Sequence, residues 1–313
     1  MKLSVNPVSL LIVAACFLIP LHSRAAIVGE VVESNGDYYI AVEGAIAKGD
    51  FAKLIKLANS FVKRGRLIRI LINSNGGDAI EAMRIGRFVR SALAEVKIKG
   101  AYVKPSSPSL RHCYSACVLV LVAAATRDHE MDNEFFTEDG NGVWENIDGK
   151  LQLRSVPVIG IHRPYYGKEA YGGLSPDQAR AQYATLEKAT RQYLQEMGAP
   201  ESFASKMFRY ASNEIHLLSK EEFKGIFGYK EPFLQEWFLS KCGSLDTKER
   251  SDWAVIVVER KVRNDDSFVP QHLSRGYVDY LVTKQKQVTA CKESQESQLL
   301  SHQKSVIGKA TKS

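Results

Sequence analysis

The stretch Cys113-Tyr114-Ser115-Ala116-Cys117, followed by the apolar run Val118-Leu119-Val120-Leu121-Val122-Ala123-Ala124-Ala125, decides how this chain is interpreted. The run predicts a buried helix that begins just after the serine. Free backbone N–H groups in the first turn of such a helix, together with the helix dipole, favour negative charge beside Ser115. A nucleophilic serine needs such surroundings. The alternative is that Ser115 has only a structural role and packs in the helix.

Two further motifs lie on either side of this stretch. Upstream, Ile72-Asn73-Ser74-Asn75-Gly76-Gly77 ends a strand-like run, and downstream Ile161-His162-Arg163-Pro164 ends another. A glycine lets backbone approach a substrate closely because it has no Cβ, and an imidazole is a suitable base for a serine hydroxyl. We therefore take Ser115 as the candidate nucleophile and His162 as the candidate general base.

Strand and helix patterns alternate outward from these motifs, which predicts an α/β core. Strands are expected at residues 27–33, 38–42, 67–72, 96–103 and 215–218. Helices are expected from Asp50 (as N-cap), from Ile80 to Leu93, from Ser175-Pro176 to about Met197, after Pro200, and from a Ser219/Glu222 capping box to Phe227. Residues 104–112 are expected to form a loop, and the acidic residues 128–153 an inserted surface loop whose spacing does not match a calcium site.

The first residues predict export. Lys2 precedes an apolar stretch at 8–21, and Ser23-Arg24-Ala25 places small residues at the −3 and −1 positions of a cleavage site before Ala26. Residues 1–25 are thus predicted to be a signal peptide, with an uncleaved anchor as the alternative. No later segment is apolar for long enough to span a bilayer. We expect an exported soluble protein, periplasmic if the source is a Gram-negative bacterium.

Export bears on the cysteines, because thiols in an oxidising compartment tend to pair. Of five cysteines, we expect Cys242 to pair with Cys291. Cys113 and Cys117 either form a bridge that holds the serine turn rigid or remain buried free thiols. No second cysteine pair or HxxxH spacing accompanies them, so no metal is predicted.

The C-terminal part differs in character from the rest. A boundary is expected at residue 232, which separates an α/β domain at 26–232 from an appendage at 233–313 with an isolated strand at 253–258. The formal net charge is +7, and residues 259–313 hold ten basic and six acidic side chains. This polar end is predicted to be partly disordered and solvated rather than a nucleic-acid or membrane contact.

Over residues 27–230 the chain resembles the ClpP/crotonase superfamily, and within it the exported ClpP-like serine proteases. The turn Ile72-Asn73-Ser74-Asn75-Gly76-Gly77 is similar to the Asn-Ser-Pro-Gly-Gly turn of ClpP, with Asn75 in place of proline, and Ile161-His162-Arg163-Pro164 is similar to its Ile-His-Gln-Pro. Leu218-Ser219 with Glu222 resembles the stretch that follows the ClpP catalytic aspartate. The resemblance implies a spiral of ββα units, with substrate bound as an added strand beside the glycine turn.

The resemblance also implies residue roles. It makes the amides of Gly77 and Ala116 the oxyanion donors and places Gly76 in the substrate-binding turn. No aspartate matches the third catalytic position, which leaves Glu214 or Asn213 to orient His162, or a dyad without a third member.

A serine/lysine mechanism, as in signal peptide peptidases of the same superfamily, would instead need a buried lysine, for which Lys168 and Lys188 are the candidates.

The expected function is that of an exported serine endopeptidase, without a cofactor, that forms an acyl-enzyme through Ser115 on a peptide or protein substrate. The alternative from another class is a weak or inactive ClpP-like module that binds peptides or partners. A crotonase acting on coenzyme A thioesters suits the fold but not export. Relatives of this fold form rings or trimers, so the resemblance implies a homo-oligomer.

Overall fold

The computed structural model describes residues 26–32, 38–98, 112–128, 142–147, 150–155, 158–166, 168–219, 222 and 231–311. The predicted signal peptide at 1–25 lies outside the described residues. The Ser219/Glu222 capping box of the predicted helix up to Phe227 is formed, but residues 223–227 lie outside the described residues as well. So does the predicted loop at 104–112, apart from its last residue. Within the described ranges the chain is mixed α/β, which confirms the predicted class.

A five-stranded sheet carries the main core. Its strands are β1 (Ile27–Val32), β2 (Tyr38–Glu43), β3 (Arg69–Asn73), β4 (Glu95–Ile98) and β6 (Thr126–Asp128), in the order β1-β2-β3-β4-β6. The predicted hairpin is confirmed, since β1 pairs with β2 antiparallel, and the other neighbours pair in parallel. The centre of β3 is buried on both faces, as its apolar sequence predicts.

A second, three-stranded sheet adjoins the five-stranded sheet next to Ser115. It contains β5 (His112–Tyr114), β9 (Val158–Ile161) and β10 (His216–Leu217), in the order β10-β9-β5. An isolated bridge between Ser74, just after β3, and Cys113 joins the two sheets. The ends of β3, β5 and β9, which carry the three motifs, therefore meet at one place.

A separate hairpin replaces part of the predicted acidic loop. Strands β7 (Gly142–Ile147) and β8 (Lys150–Ser155) pair antiparallel from Gly142 opposite Ser155 to Ile147 opposite Lys150. The prediction of a loop throughout 128–153 is wrong here. Alternating apolar and polar residues in 150–155 are compatible with a strand, but the acidic composition of the surroundings obscured that pattern.

Six helices or turns of helix accompany the described part of the sheets before residue 220. They are α1 (Asp50–Lys63), α2 (Ala79–Ser91), α3 (Ala116–Ala123), α4 (Lys168–Tyr171), α5 (Pro176–Glu196) and α6 (Glu201–Arg209). Every residue of α3 is buried, as its sequence predicts. Asp50 is not the N-cap of α1: Gly49 holds that position with φ 98°, and the buried Asp50 carboxylate accepts from the Ala47 N–H at 2.8 Å.

The C-terminal part is helical, with α7 (Pro232–Cys242), α8 (Thr247–Arg263) and α9 (Arg275–Ala310). The predicted isolated strand at 253–258 is wrong, because these residues lie inside α8. An Asp246/Glu249 capping box starts that helix, and Ile256 is fully buried in a small cluster with Val278 and Leu281. Packing and capping therefore override the β propensity of the valines.

The predicted partly disordered end is also wrong for α9, a helix of 36 residues. Its far end packs on the main core, where Ile307 is buried, and the Gln303 side chain accepts from the Ile68 N–H at 2.8 Å. Both disulfides are formed, Cys113–Cys117 and Cys242–Cys291. Within the described ranges, none of the helices is both long enough and apolar enough to cross a membrane.

Candidate active site

Ser115 stands at a tight turn between β5 and α3, and its backbone is strained. Its φ of 55° and ψ of −122° lie outside the regions that a residue with a Cβ ordinarily adopts. Such a conformation costs about 1–3 kcal/mol and persists only where its surroundings enforce it. Strand, strained serine and helix in this order form the type of turn that exposes a nucleophile. The Ser115 side chain makes no capping hydrogen bond to α3.

Several contacts enforce this conformation. The Ser115 N–H donates to the Gly160 carbonyl at 2.9 Å, and the Val118 N–H donates to the Ser115 carbonyl at 3.0 Å. The Cys113–Cys117 disulfide spans the turn with Cα atoms 5.2 Å apart, and both cysteines are fully buried. The open choice between a bridge and free thiols is thus settled in favour of the bridge.

The glycine turn lies directly against Ser115. Gly76 has φ 100°, and a Cβ there would come within 2.7 Å of the Ser115 Cβ. Gly77 has φ 129°, and a Cβ there would collide with the Ile46 carbonyl oxygen. Larger residues are therefore excluded at both positions by strain and by space.

The pairing of Gly77 fixes the direction of its N–H. The Ile46 N–H donates to the Gly76 carbonyl at 2.7 Å, and the Asp78 N–H donates to the Ile46 carbonyl at 2.8 Å. In a parallel bridge of this form, the N–H and carbonyl of the central residue point away from the partner strand. The Gly77 N–H therefore points away from Ile46. Among the described residues, neither the Gly77 N–H nor the Ala116 N–H at the start of α3 has a hydrogen-bond acceptor. A developing oxyanion requires donors of this kind.

His162 follows β9 directly and is 6% exposed. Its Nδ1 lies 2.9 Å from the carbonyl oxygen of Arg163. A carbonyl oxygen only accepts hydrogen bonds, so Nδ1 carries the proton and the neutral ring keeps Nε2 as its acceptor. The ring of Tyr165 lies 5.8 Å from the imidazole, centroid to centroid. This arrangement suits His162 to accept a proton through Nε2.

One cleft of about 490 Å³ contains the predicted residues Ser115, His162, Gly77 and Ala116 in its lining. Its apolar lining includes Ile46, Ile80, Leu119, Leu186 and Met207, and its polar lining includes Asn75, Lys48, Asp78, Tyr165 and Tyr166. Burial raises the pKa of Tyr166, and neighbouring Tyr171 and Asp78 raise it further. The Tyr166 hydroxyl thus remains neutral near pH 7.

Ile80, in the first turn of α2, forms part of the cleft wall. It is an apolar residue of an amphipathic helix, and its side chain is 42% exposed. A helix whose first turn faces a cleft exposes an apolar residue there without breaking its periodicity. Ile80 is therefore available to contact a ligand.

The third catalytic position is not occupied by a bonded carboxylate within the described part of the chain. Glu214 and Asn213 are exposed in the turn before β10, and no hydrogen bond among the described residues joins either to His162. The assignment of Glu214, with Asn213 as its alternative, stays a prediction. The Arg163 carbonyl, which does bond to the ring, escaped sequence analysis because a backbone atom leaves no residue-type signal.

The candidate lysines for a serine/lysine mechanism are not buried, as far as the described residues show. Lys188 is exposed on α5, and the side chain of Lys168 lies outside the described part. Lys48 lines the cleft, which the sequence did not indicate, but it too is exposed. A serine/lysine mechanism needs a desolvated lysine, so these positions do not favour it. No group of three or more metal-ligating side chains is found in the residues described.

Comparison with known proteins adds little. No family model matches this chain, and no curated protein matches it. A solved structure, a mutant of a membrane-bound stomatin-specific protease, is similar over 65% of this chain and 83% of that chain, with a TM-score of 0.37 and 14% identity. So low a TM-score carries no argument, and the site is interpreted from its own geometry.

Proposed function

We propose that this protein is a serine-type peptidase that hydrolyses peptide bonds through Ser115. The observation that carries the proposal is the strained φ and ψ of Ser115 at a strand–helix turn that opens on the same cleft as His162. Strain of this kind is retained where it serves a function, since a serine that only packs in a helix has no need of it. Neither the glycine pair nor the histidine alone would carry the proposal.

The chemistry uses the three motifs in turn. The Ser115 hydroxyl attacks the substrate carbonyl carbon while Nε2 of His162 accepts its proton, and the N–H groups of Gly77 and Ala116 stabilise the oxyanion. The protonated His162 then donates to the leaving amine, which breaks the peptide bond and leaves an acyl group on Ser115. Water, deprotonated by His162, releases the acid and restores the serine.

Broader features of the protein belong to the same proposal. The two sheets would be part of a ClpP/crotonase-type spiral, with an extended substrate lying beside Gly76 and Gly77. We also propose an exported protein with a cleaved signal peptide, an α/β domain that ends at residue 232, and a homo-oligomer. Two formed disulfides are compatible with an oxidising compartment.

Labelling with a fluorophosphonate, which reacts with activated serines, tests the peptidase. We expect folded mature protein to be labelled, Ser115→Ala to give no label, and His162→Ala to lower the labelling rate at least about 100-fold. Heat-unfolded protein is the control for unspecific reaction. Equal labelling of wild type and Ser115→Ala would refute the proposal.

One observation favours a second function, that of a peptide-binding module without catalysis. No carboxylate among the described residues bonds to His162, and a triad that lacks this partner is weaker by orders of magnitude. The same labelling experiment separates the two functions. Absence of label in folded wild type, together with peptide binding that Ser115→Ala retains, would favour the binding module.

A further inference from the structure

The residues on both sides of His162 are held by one short segment, residues 210–218, here called the bracing segment. On one side, Ile161 and Gly160 pair antiparallel with His216 and Leu217. On the other side, the Arg163 N–H donates to the Tyr210 carbonyl at 3.2 Å. The Arg163 carbonyl is the atom that bonds Nδ1 of His162, so this segment holds the backbone of the residue to which the imidazole is bonded.

The bracing segment has little apolar packing of its own. Leu218 at its end is buried, and its N–H donates to the Ile159 carbonyl at 2.9 Å. Before it, Ile215 is 47% exposed and Leu217 is 53% exposed. A segment with so few buried side chains opens readily unless polar contacts hold it.

Glu222 supplies those polar contacts. Its carboxylate accepts from the Ser219 N–H at 2.9 Å, from Nε2 of His216 at 3.2 Å and from the ammonium of Lys206 on α6. The ring of His216 is stacked on that of Tyr210, with centroids 4.4 Å apart and planes 3° from parallel. One carboxylate thus ties α6, the stacked rings and the end of the bracing segment together.

From this connectivity we infer that Glu222 is a positioning residue for His162. It acts through His216, Tyr210 and the backbone of Arg163, and holds the Nδ1–H tautomer that leaves Nε2 free as a base. Its influence on the reaction rests on the proposed function, whereas its influence on the histidine tautomer does not. The inference assigns the orienting task to a carboxylate that touches neither the histidine nor the substrate.

The chain offers a matched control in Glu249. It also lies at the third position of a capping box, accepts from the Asp246 N–H at 2.7 Å and pairs with Lys284 at 2.7 Å. It belongs to α8 and does not line the cleft. Replacement of Glu249 therefore removes an equivalent set of contacts at a place where no histidine of the site depends on them.

The deciding experiment records long-range ¹H–¹⁵N spectra of the imidazoles, with His162→Ala used to assign the His162 signals. In wild type we expect the Nδ1–H tautomer of His162. In Glu222→Ala we expect a mixture of tautomers, and in Glu222→Gln, which keeps the side-chain shape, a smaller change in the same direction. Glu249→Gln should leave the signals unchanged. An unaltered His162 tautomer in both Glu222 variants would overturn the inference, whether or not the protein is labelled by a fluorophosphonate.

Labelling rates add a readout that a purely structural role would not move. We expect Glu222→Ala to lower the rate about 10- to 100-fold through a misdirected base. In a His162→Ala background, Glu222→Ala should then lower the rate little further, because the base through which Glu222 acts is already absent. If the fold-changes of the two single variants multiplied in the labelling rate of the double variant, the inference would be overturned. The proposed peptidase would still stand. Absence of label in wild type would count against the peptidase alone, and the tautomer would still decide the role of Glu222.

Discussion

The cleft region and the C-terminal helices are stabilised by the same two kinds of interaction. Each has a disulfide, Cys113–Cys117 in the first and Cys242–Cys291 in the second. Each also has a capping-box glutamate paired with a lysine, Glu222 in the first and Glu249 in the second. The two regions differ in what these interactions hold.

In the cleft region the disulfide closes a ring with a sequence separation of 4 around one strained residue, Ser115. In the C-terminal region the disulfide joins α7 to α9 across a separation of 49. The first holds a local backbone conformation, and the second holds one helix against another. The comparison teaches that a disulfide supports a functional site when the loop that it closes contains a strained residue. When the loop contains none, the disulfide supports only the fold.

The largest effect on labelling is expected from Gly77→Ala. Its new Cβ would collide with the Ile46 backbone, so we expect a loss of about 3 kcal/mol or more in the free energy of unfolding and no detectable labelling. Gly65→Ala is the control, because it has φ 76° but open space around it. Strain alone should cost it about 1–2 kcal/mol, with labelling retained. Urea unfolding measures both, and equal costs would contradict the close approach at Gly77.

The two disulfides should separate stability from reactivity. Loop-closure entropy predicts that removing Cys242–Cys291 costs about 4 kcal/mol, against about 2 kcal/mol for Cys113–Cys117. We expect the paired alanine variant at 113 and 117 to lower the labelling rate about tenfold, and the variant at 242 and 291 to leave the rate of the folded protein unchanged. Unfolding free energies and labelling rates are measured on both. Equal labelling of the two variants would show that the ring around Ser115 does not hold the nucleophile.

The far end of α9 provides a test of how the C-terminal helices attach to the α/β core. Ile307 is 2% exposed in the main core, so Ile307→Ala should lower the free energy of unfolding by about 2–4 kcal/mol without changing the labelling rate of the folded protein. Ile256→Ala, in the small C-terminal cluster, is the matched variant. Denaturant unfolding followed by tryptophan fluorescence gives both values. A neutral Ile307→Ala would contradict the packing of α9 on the core.

The smallest expected effect is the loss of fold stability at low pH. The hydrogen bond from Lys206 is the main cause that lowers the pKa of Glu222 to about 2, and that from Lys284 is the main cause that lowers the pKa of Glu249 to about 2. Because both pKa values lie below 4.5, the ordinary value of a glutamate, each glutamate stabilises the fold above that pH. This contribution is lost as the pH falls towards 2.

Melting temperatures at pH 5 and pH 3 measure this loss. We expect a smaller difference between the two pH values in Glu222→Gln and in Glu249→Gln than in wild type. Only Glu222→Gln should also disturb labelling, since only Glu222 braces the segment beside His162. An unchanged pH dependence in both variants would contradict the ion pairs.

Much of the cleft region could be predicted from the sequence because its elements leave periodic or compositional signals. Strand β3 before Gly76, the apolar helix α3 after Ser115 and strand β9 before His162 all carry such a signal. Strand β5 does not, because His112–Tyr114 is too short to show a period. The strain at Ser115 and the carbonyl bonded to His162 were also beyond prediction, since both are properties of the backbone.

The C-terminal helices were predicted less well for a physical reason. The valine-rich residues of α8 have β propensity, and the polar composition of α9 is typical of a solvated end. Both segments are nevertheless helical. Asp246 and Glu249 cap α8, and Ile307 of α9 packs on the distant main core. Contacts between residues far apart in sequence leave little trace in a local pattern.

The most direct test of the central claim is to map the fluorophosphonate adduct on the labelled protein by peptide mass spectrometry. The account predicts a single adduct on Ser115 of the folded protein and no adduct after heat unfolding. An adduct on another serine, or no adduct on folded wild type at any pH between about 6 and 9, where a histidine base is active, would contradict it.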